Sequence, residues 1–366
     1  MGDYKISFCT VCMNRLHHLK QTLPINLINN ENYFDLEFIV LDYNSSDGLE
    51  SYIKESMGSY LQSGRLVYYK TLSPKYFNRS HSRNLVFNLS NGNIICNIDA
   101  DNFTGVNFAK YINDQFKTRN DIFLTTIGNS NSADVLGRIC MKKKDFLEIK
   151  GYDERMTDYG FEDYDLVNRL EINGLKKVFI NSNAEYLRAI KHGNEERLSN
   201  EFVTNNIKSL LLSYLTPSST CFIFIFNNHK YKKFILIDTI TFEPLTEIQK
   251  AEPSYNLAFF QDQWAEGEWG GDDNELIINQ KGHPIKKLNF NKKKNCFESF
   301  TNNLLEDYYP ISNKFLIQEA IFQTGLITNR ILMDKNKLEK RDNVNLNGFG
   351  KDTVYRNFEN KIHLVP

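Results

Sequence analysis

Hydrophobic and polar positions alternate in two rhythms over the first half of the chain. Short apolar runs at 6–11, 36–42, 65–69 and 94–98 are rich in β-branched and aromatic residues and bounded by turn formers, so they predict buried strands. Between them Leu16, Leu19 and Leu23 recur at helical spacing, the stretch from Gly48 toward Met57 reads as a second helix, and residues 81–89 as a third. A helix over 106–116, a strand over 122–126, a helix opening at Glu162 and a strand over 177–180 continue the alternation. Strands separated by helices with short links predict a mostly parallel sheet with right-handed crossovers.

After Thr216-Pro217-Ser218-Ser219 the rhythm changes. Strands are predicted over 221–226 and 234–240, and a hairpin from 276–279 and 285–290 turning at Lys281-Gly282. A helix over 315–332 and a second hairpin within 344–358 follow. The fold class expected is therefore α/β over residues 1–218, followed by a smaller β-rich accessory domain over 219–366. No internal repeat or low-complexity tract interrupts either part.

Composition narrows the function classes. The chain has 366 residues, 41% hydrophobic and 24% charged, with a net charge of -1; it has core enough for two domains and no basic field for nucleic acid. Lys5 precedes only a short apolar run, so no signal peptide is expected. The longest apolar run, 221–226, falls far short of the roughly 20 residues of a membrane span. A cytoplasmic protein with no transmembrane segment is the expectation, with peripheral contact at the inner face of the membrane left open. The six cysteines lie in apolar contexts and read as reduced core thiols. Cys9-x-x-Cys12 has redox spacing but sits in the first strand and its turn, which argues against that role.

The chemistry concentrates where strands should end. Asp99 and Asp101 follow the run 94–98 at i and i+2, so both carboxylates can face one spot at the carboxyl edge of a parallel sheet. Hard oxygen ligands there suit Mg²⁺ or Mn²⁺ on a diphosphate, although Asp-x-Asp alone is more often a solvated loop. Asp42 ends the second strand in the same way. Glu162-Asp163 opens a helix, where carboxylates usually serve the dipole; the preceding Tyr159-Gly160 adds a flat ring and a flexible turn suited to a stacked sugar. His192 could add nitrogen to a metal site, favouring Mn²⁺ over Ca²⁺. Arg15, Arg79 and Arg83 lie beside strand ends, where guanidinium groups suit a diphosphate or a base edge. Trp264 and Trp269 read as a small core in preference to a sugar platform.

The run as a whole resembles the GT-A fold glycosyltransferases of family 2. The features are Asn14-Arg15, Asp42-Tyr43-Asn44-Ser45-Ser46-Asp47-Gly48, Arg83-Asn84, the Asp-x-Asp, and Gly151-Tyr152-Asp153-Glu154. Other segments are similar to the animal β-galactosyltransferases: Asn14-Arg15-Leu16-His17-His18-Leu19, Phe77-Asn78-Arg79, the stretch from Gly160 through Glu162-Asp163 to Leu170, and His192. They occur in order over residues 4 to 200. The resemblance implies a Rossmann-like catalytic domain with Thr10, Asn14, Arg15, Asp42, Phe77, Arg79, Arg83 and Asp99 on the donor. It implies Asp101 and His192 on the metal, Asp163 as base with Glu162 beside it, and Tyr159 and Glu162 on the acceptor.

Three departures qualify this. Tyr43 stands where family 2 members often carry a second acid, Ala189 stands three residues before His192 where the galactosyltransferases have Met, and the acceptor-side aromatic is Tyr159, not Trp. The expected activity is inverting, metal-dependent transfer of a hexose or N-acetylhexosamine from a UDP-sugar to a saccharide hydroxyl, in bacterial-type surface polysaccharide synthesis. Mn²⁺ is the expected ion, with Mg²⁺ as the alternative, and the β-rich domain is open to a role as a homodimer surface or as an acceptor-docking surface. A non-catalytic carbohydrate-binding protein of the same fold is the competing reading. A nucleotidyltransferase is disfavoured because Thr10-Val11-Cys12-Met13-Asn14-Arg15 lacks a glycine to cradle a triphosphate.

Overall fold

The structure, a computed structural model, describes residues 2–128, 134–182, 185–216, 219–238, 257–258, 264–301, 304–359 and 362–365. The chain forms two compact units, residues 1–201 together with 328–366, and residues 202–327.

In the first unit β1 (Ile6–Cys12), β2 (Leu36–Tyr43), β3 (Leu66–Thr71) and β4 (Ile94–Asn97) are parallel, in the order β3-β2-β1-β4. The connections carry α1 (Leu16–Asn29), α2 (Leu49–Ser56), α3 (Gly58–Gln62) and α4 (Arg79–Leu89). Every residue of β2 is buried, because apolar side chains cover both faces of the sheet; this is why the strands read as continuous apolar runs. One face packs Phe8, Val40, Leu66 and Ile94, the other Ile39, Leu41, Val67 and Ile95.

Beyond β4 come α5 (Phe108–Thr118), β5 (Ile122–Thr125), β6 (Ile139–Lys142), α6 (Lys143–Glu148), α7 (Glu162–Ile172) and β7 (Lys176–Phe179). β6 inserts antiparallel between β4 and β5, and β7 returns parallel to β5. The α/β class and the parallel order expected from the sequence are both present; the antiparallel insertion was not foreseen. α8 (Asn194–Leu198) closes this part of the chain.

The second unit starts with α9 (Phe202–Asn206) and is otherwise antiparallel: β8 (Ile207–Thr216), β9 (Ser219–Phe226), β10 (Lys230–Asp238), β11 (Leu257–Ala258), β12 (Trp264–Gly271), β13 (Glu275–Asn279), β14 (Lys286–Asn291), β15 (Cys296–Thr301) and β16 (Leu304–Ile311). The order β10-β12-β13-β14-β15-β16-β8-β9 closes on itself because β9 pairs with β10, while β11 adds to β10. Closure removes the exposed edges that an open sheet would present. Its interior holds Leu211, Ile223, Ile225, Tyr231, Trp269, Leu288 and Tyr308. Trp269 is a core residue, its indole N–H donating to the Phe226 carbonyl at 2.7 Å; the Trp264 side chain and the predicted strand positions 239–240 lie outside the described residues.

The boundary expected at 218/219 is corrected in two ways. The β-rich unit begins at Phe202 and ends within α10 (Lys314–Leu338), and the chain after it returns to the α/β unit. β17 (Asp352–Arg356) pairs antiparallel with β3, and β18 (Ile362–Val365) pairs with β17. The hairpin expected within 344–358 therefore has its partner strand later, and it extends the parallel sheet. Asn336 fixes the return by donating to Asp153 Oδ2 at 3.0 Å and Asp165 Oδ1 at 2.9 Å. No helix among the described residues is long and apolar enough to cross a membrane.

Candidate active site

The carboxyl ends of β1, β2 and β4 bring the predicted residues to one side of the sheet, as parallel strands must. After β4 the chain turns sharply: the Asn102 amide donates to the Asp99 carbonyl at 2.9 Å. Asn97 Nδ2 holds Asp99 Oδ1 at 2.8 Å and Asn102 Nδ2 holds Asp101 Oδ1 at 2.9 Å, so the two carboxylates are fixed separately. Residues 188–190 lie against this turn. Ala189 and Asn102 form an antiparallel bridge, and the Ile190 amide donates to the Asp101 carbonyl at 2.9 Å. That short ladder delivers His192, whose Nε2 stands 2.8 Å from Asp101 Oδ2.

Asp101 and His192 thus stand in contact. Their side chains are only 13% and 11% exposed, and one carboxylate oxygen with one imidazole nitrogen is a donor set that fits Mn²⁺. The hydrogen bond to Asp101 raises the His192 pKa against the opposing pull of burial. Ala189 brings no donor to the pair.

The second wall comes from the start of α7. Phe161 there takes a left-handed conformation, φ 64°, and the acids of the first turn face inward instead of capping the helix. Arg83 of α4 is buried among them. Its Nη1 donates to Asp163 Oδ1 at 2.8 Å and to Glu162 Oε1 at 3.0 Å, and its Nη2 to Asp99 Oδ1 at 3.3 Å. One guanidinium therefore spans from the helix acids to the first Asp of the Asp-x-Asp. Tyr152 donates its hydroxyl to Asp163 Oδ1 at 3.3 Å. Burial pushes the Asp163 carboxyl up to about 7, with Arg83 pulling down and Glu162 and Asp99 pushing further up. Asp99 is held below the usual carboxylate range: burial opposes this, but Arg83 and Asn97 prevail. Glu162 Oε2 is buried and bonds to nothing among the described residues.

Gly137 explains how the backbone passes this crowd. A Cβ there would lie 2.7 Å from Arg83 Nη2 and 2.8 Å from Asp99 Oδ2, so glycine is the residue that fits.

The remaining predicted donor residues fall into two groups. Arg15 and Arg79 are engaged by the segment 196–201. Arg15 Nη1 donates to Glu196 Oε1 at 3.1 Å and its Nη2 to the Glu196 carbonyl. Arg79 donates to Glu201 Oε1 and, at 3.1 Å, to the Arg197 carbonyl, and it lies 4.3 Å above the Tyr159 ring. Phe77 takes part in the same seam, its amide donating to the Asn200 carbonyl at 2.8 Å, and Asn14 Nδ2 donates to Asn200 Oδ1 at 2.9 Å. Thr10 and Asp42 are buried inside the sheet. Asp42 accepts from Tyr68 Oη at 2.6 Å and from the Ser45 amide at 2.7 Å, so both its oxygens already serve the fold, and Arg83 is occupied by carboxylates. Sequence reading gave no site role to Glu196, Glu201, Tyr152 or Asn97. Glu196 and Glu201 are defined by contacts across the fold, Asn97 lies two residues before Asp99, and Tyr152 stands in the quoted Gly151-Tyr152-Asp153-Glu154 segment.

Residues 129–193 match the family model described as the N-terminal domain of galactosyltransferase. This stretch of the chain is galactosyltransferase-like. The match includes Glu162, Asp163 and His192, and it agrees with the resemblance drawn from the motifs. No curated protein matches the sequence. Among solved structures, a mannosyltransferase from Pyrobaculum calidifontis, in complex with GDP-Man and Mn²⁺, is similar at 14% identity and a TM-score of 0.42, over 50% of this chain and 56% of that one. TarS of S. aureus is similar at 9% identity and a TM-score of 0.42, over 85% and 86% of the two chains. A Drosophila β-1,4-galactosyltransferase 7 mutant, in complex with manganese, UDP-Gal and xylobiose, is similar at 15% identity and a TM-score of 0.36, over 53% of this chain and 73% of that one. This chain thus spans little more than half the length of the mannosyltransferase. Likeness at this level assigns no activity.

Proposed function

We propose that this protein is an inverting, metal-dependent glycosyltransferase that moves a hexose or N-acetylhexosamine from a UDP-sugar to a saccharide hydroxyl. The observation that carries the reading is the Arg83 bridge: one guanidinium joins the Asp163 and Glu162 carboxylates to Asp99 of the Asp-x-Asp. A proton acceptor and a nucleotide-sugar motif are thereby held a guanidinium's width apart.

Asp163 takes the proton from the acceptor hydroxyl. An ordinary carboxylate with a pKa of about 4 is a poor base, and a value near 7 suits the task. Glu162 Oε2, buried without a partner among the described residues, accepts a second acceptor hydroxyl and so orients the sugar. Attack comes from the face of the anomeric carbon opposite the leaving diphosphate, which inverts the configuration. Asp99 faces the donor sugar or ribose, while Arg15 and Arg79 exchange their contacts at Glu196 and Glu201 for the diphosphate and the base. Asp101 and His192 would hold the divalent ion, which supplies positive charge against the leaving group. The proposal extends to surface polysaccharide synthesis at the cytoplasmic face of a membrane, with self-association through the β-rich unit.

Screening UDP-sugars for metal-dependent hydrolysis tests the reading without knowledge of the acceptor. One UDP-sugar should be hydrolysed slowly in Mn²⁺ and none in chelator. UDP affinity that is insensitive to Mn²⁺, with no hydrolysis of any sugar nucleotide, would favour the non-catalytic carbohydrate-binding reading.

A further inference from the structure

Beside the Asp101–His192 pair lies a second set of metal-type donors. His17 and His18 open α1, and Glu196 sits in α8. One ligand atom from each lies within 4.8 Å of the others. His17 Nε2 is 2.7 Å and His18 Nε2 3.4 Å from the same oxygen, Glu196 Oε1. The side chains differ in exposure, His18 at 6%, Glu196 at 29% and His17 at 57%. The set is thus anchored on one side and open to water on the other.

We propose that His17, His18 and Glu196 form a divalent transition-metal site, separate from the one at Asp101 and His192, with zinc as the best-suited ion. Two imidazole nitrogens and one carboxylate oxygen are borderline donors of the kind zinc prefers, with water completing the shell. Ligand distances of about 2.0–2.1 Å place tetrahedral donors about 3.3 Å apart, so the present spacings need only small side-chain rotations. The other three-donor group among the described residues, Cys296, Glu298 and Asp307, is a useful contrast. There the Lys294 ammonium already stands 2.9 Å from Glu298 and 3.4 Å from Asp307, in the place a cation would take. At Glu196 the competing cation is Arg15, which has the leaving diphosphate as an alternative partner. An ion on Glu196 fastens α8 to the start of α1 and releases Arg15 toward an anionic ligand. The donor set does not depend on sugar transfer and stands whether or not that reading holds.

The test is titration of the metal-stripped full chain with Zn²⁺ alone, followed by calorimetry, with Co²⁺ absorption as the second readout. Wild type should bind two equivalents. His17→Ala and Glu196→Gln should each bind one, with the lost equivalent weakened at least tenfold. Asp101→Asn should also bind one, and that one should disappear on adding His17→Ala. His17 is exposed, so its variant tests the site without disturbing the core. A His17→Ala or Glu196→Gln variant with the wild-type stoichiometry and cobalt spectrum would overturn the proposal, whatever the Asp101–His192 pair binds.

Discussion

Arg83 and Arg15 both meet carboxylates, and the two arrangements are opposites. Arg83 comes from a core helix and is shared by three acids on fixed elements, two of them, Glu162 and Asp163, only 5% and 12% exposed. Arg15 meets one acid, Glu196, 29% exposed and carried by a helix of five residues. Buried and shared, the first guanidinium cannot leave without stranding charge in the core. At 17% exposed and paired with one partly exposed acid on a short helix, the second strands less charge when it changes partners. The contrast separates the part of the site that sets the chemistry from the part that exchanges ligands.

Removing the buried hub should have the largest effect. Arg83→Met leaves Asp163, Glu162 and Asp99 without their common cation, and a loss of about 3–5 kcal/mol in denaturant stability is expected. A loss below 1 kcal/mol would show that these acids do not depend on it. Crowding the hub comes next. Gly137→Ala places a methyl against Arg83 and Asp99, which should cost about 1–3 kcal/mol in thermal or denaturant unfolding and slow donor hydrolysis at least tenfold. The exchangeable side should respond weakly: Glu196→Gln should change stability by less than about 1 kcal/mol. It should also tighten UDP binding about two- to fivefold by calorimetry, because Arg15 is freed. Weaker UDP binding in that variant would erase the distinction between the two arginines.

The pH dependence sharpens the same point. A base raised to about 7 is protonated below that value, so the rate at saturating donor and Mn²⁺ should fall about tenfold per pH unit below 7 and level off above it. Saturating metal separates this limb from His192, which must lose its own proton to bind an ion. A rate independent of pH between 5 and 8 would remove Asp163 from the role.

Much of this was readable from the chain. The Asp-x-Asp after β4 and the acids opening α7 follow from strand-end and helix-start patterns, and the parallel order follows from the alternation of elements. The Arg83 bridge was not readable, since an arginine before Asn84 carries no sign of which acids it will meet. Glu196 reaches Arg15 across 181 positions, and no local period encodes such a contact. β6 was missed because a four-residue strand, three apolar residues running into the lysines at 142–144, is too short for a period to register. The return of residues 328–366 was misassigned because an extended apolar run looks alike whichever sheet it joins; Asn336 and the free edge of β3 decided it.

Asp163→Asn gives the most direct test, as it keeps the shape and the Arg83 contact while removing the base. Its transfer rate should fall by about 10²–10⁴, with Mn²⁺-dependent UDP affinity unchanged from wild type. Transfer at the wild-type rate, with UDP still bound, would contradict the account.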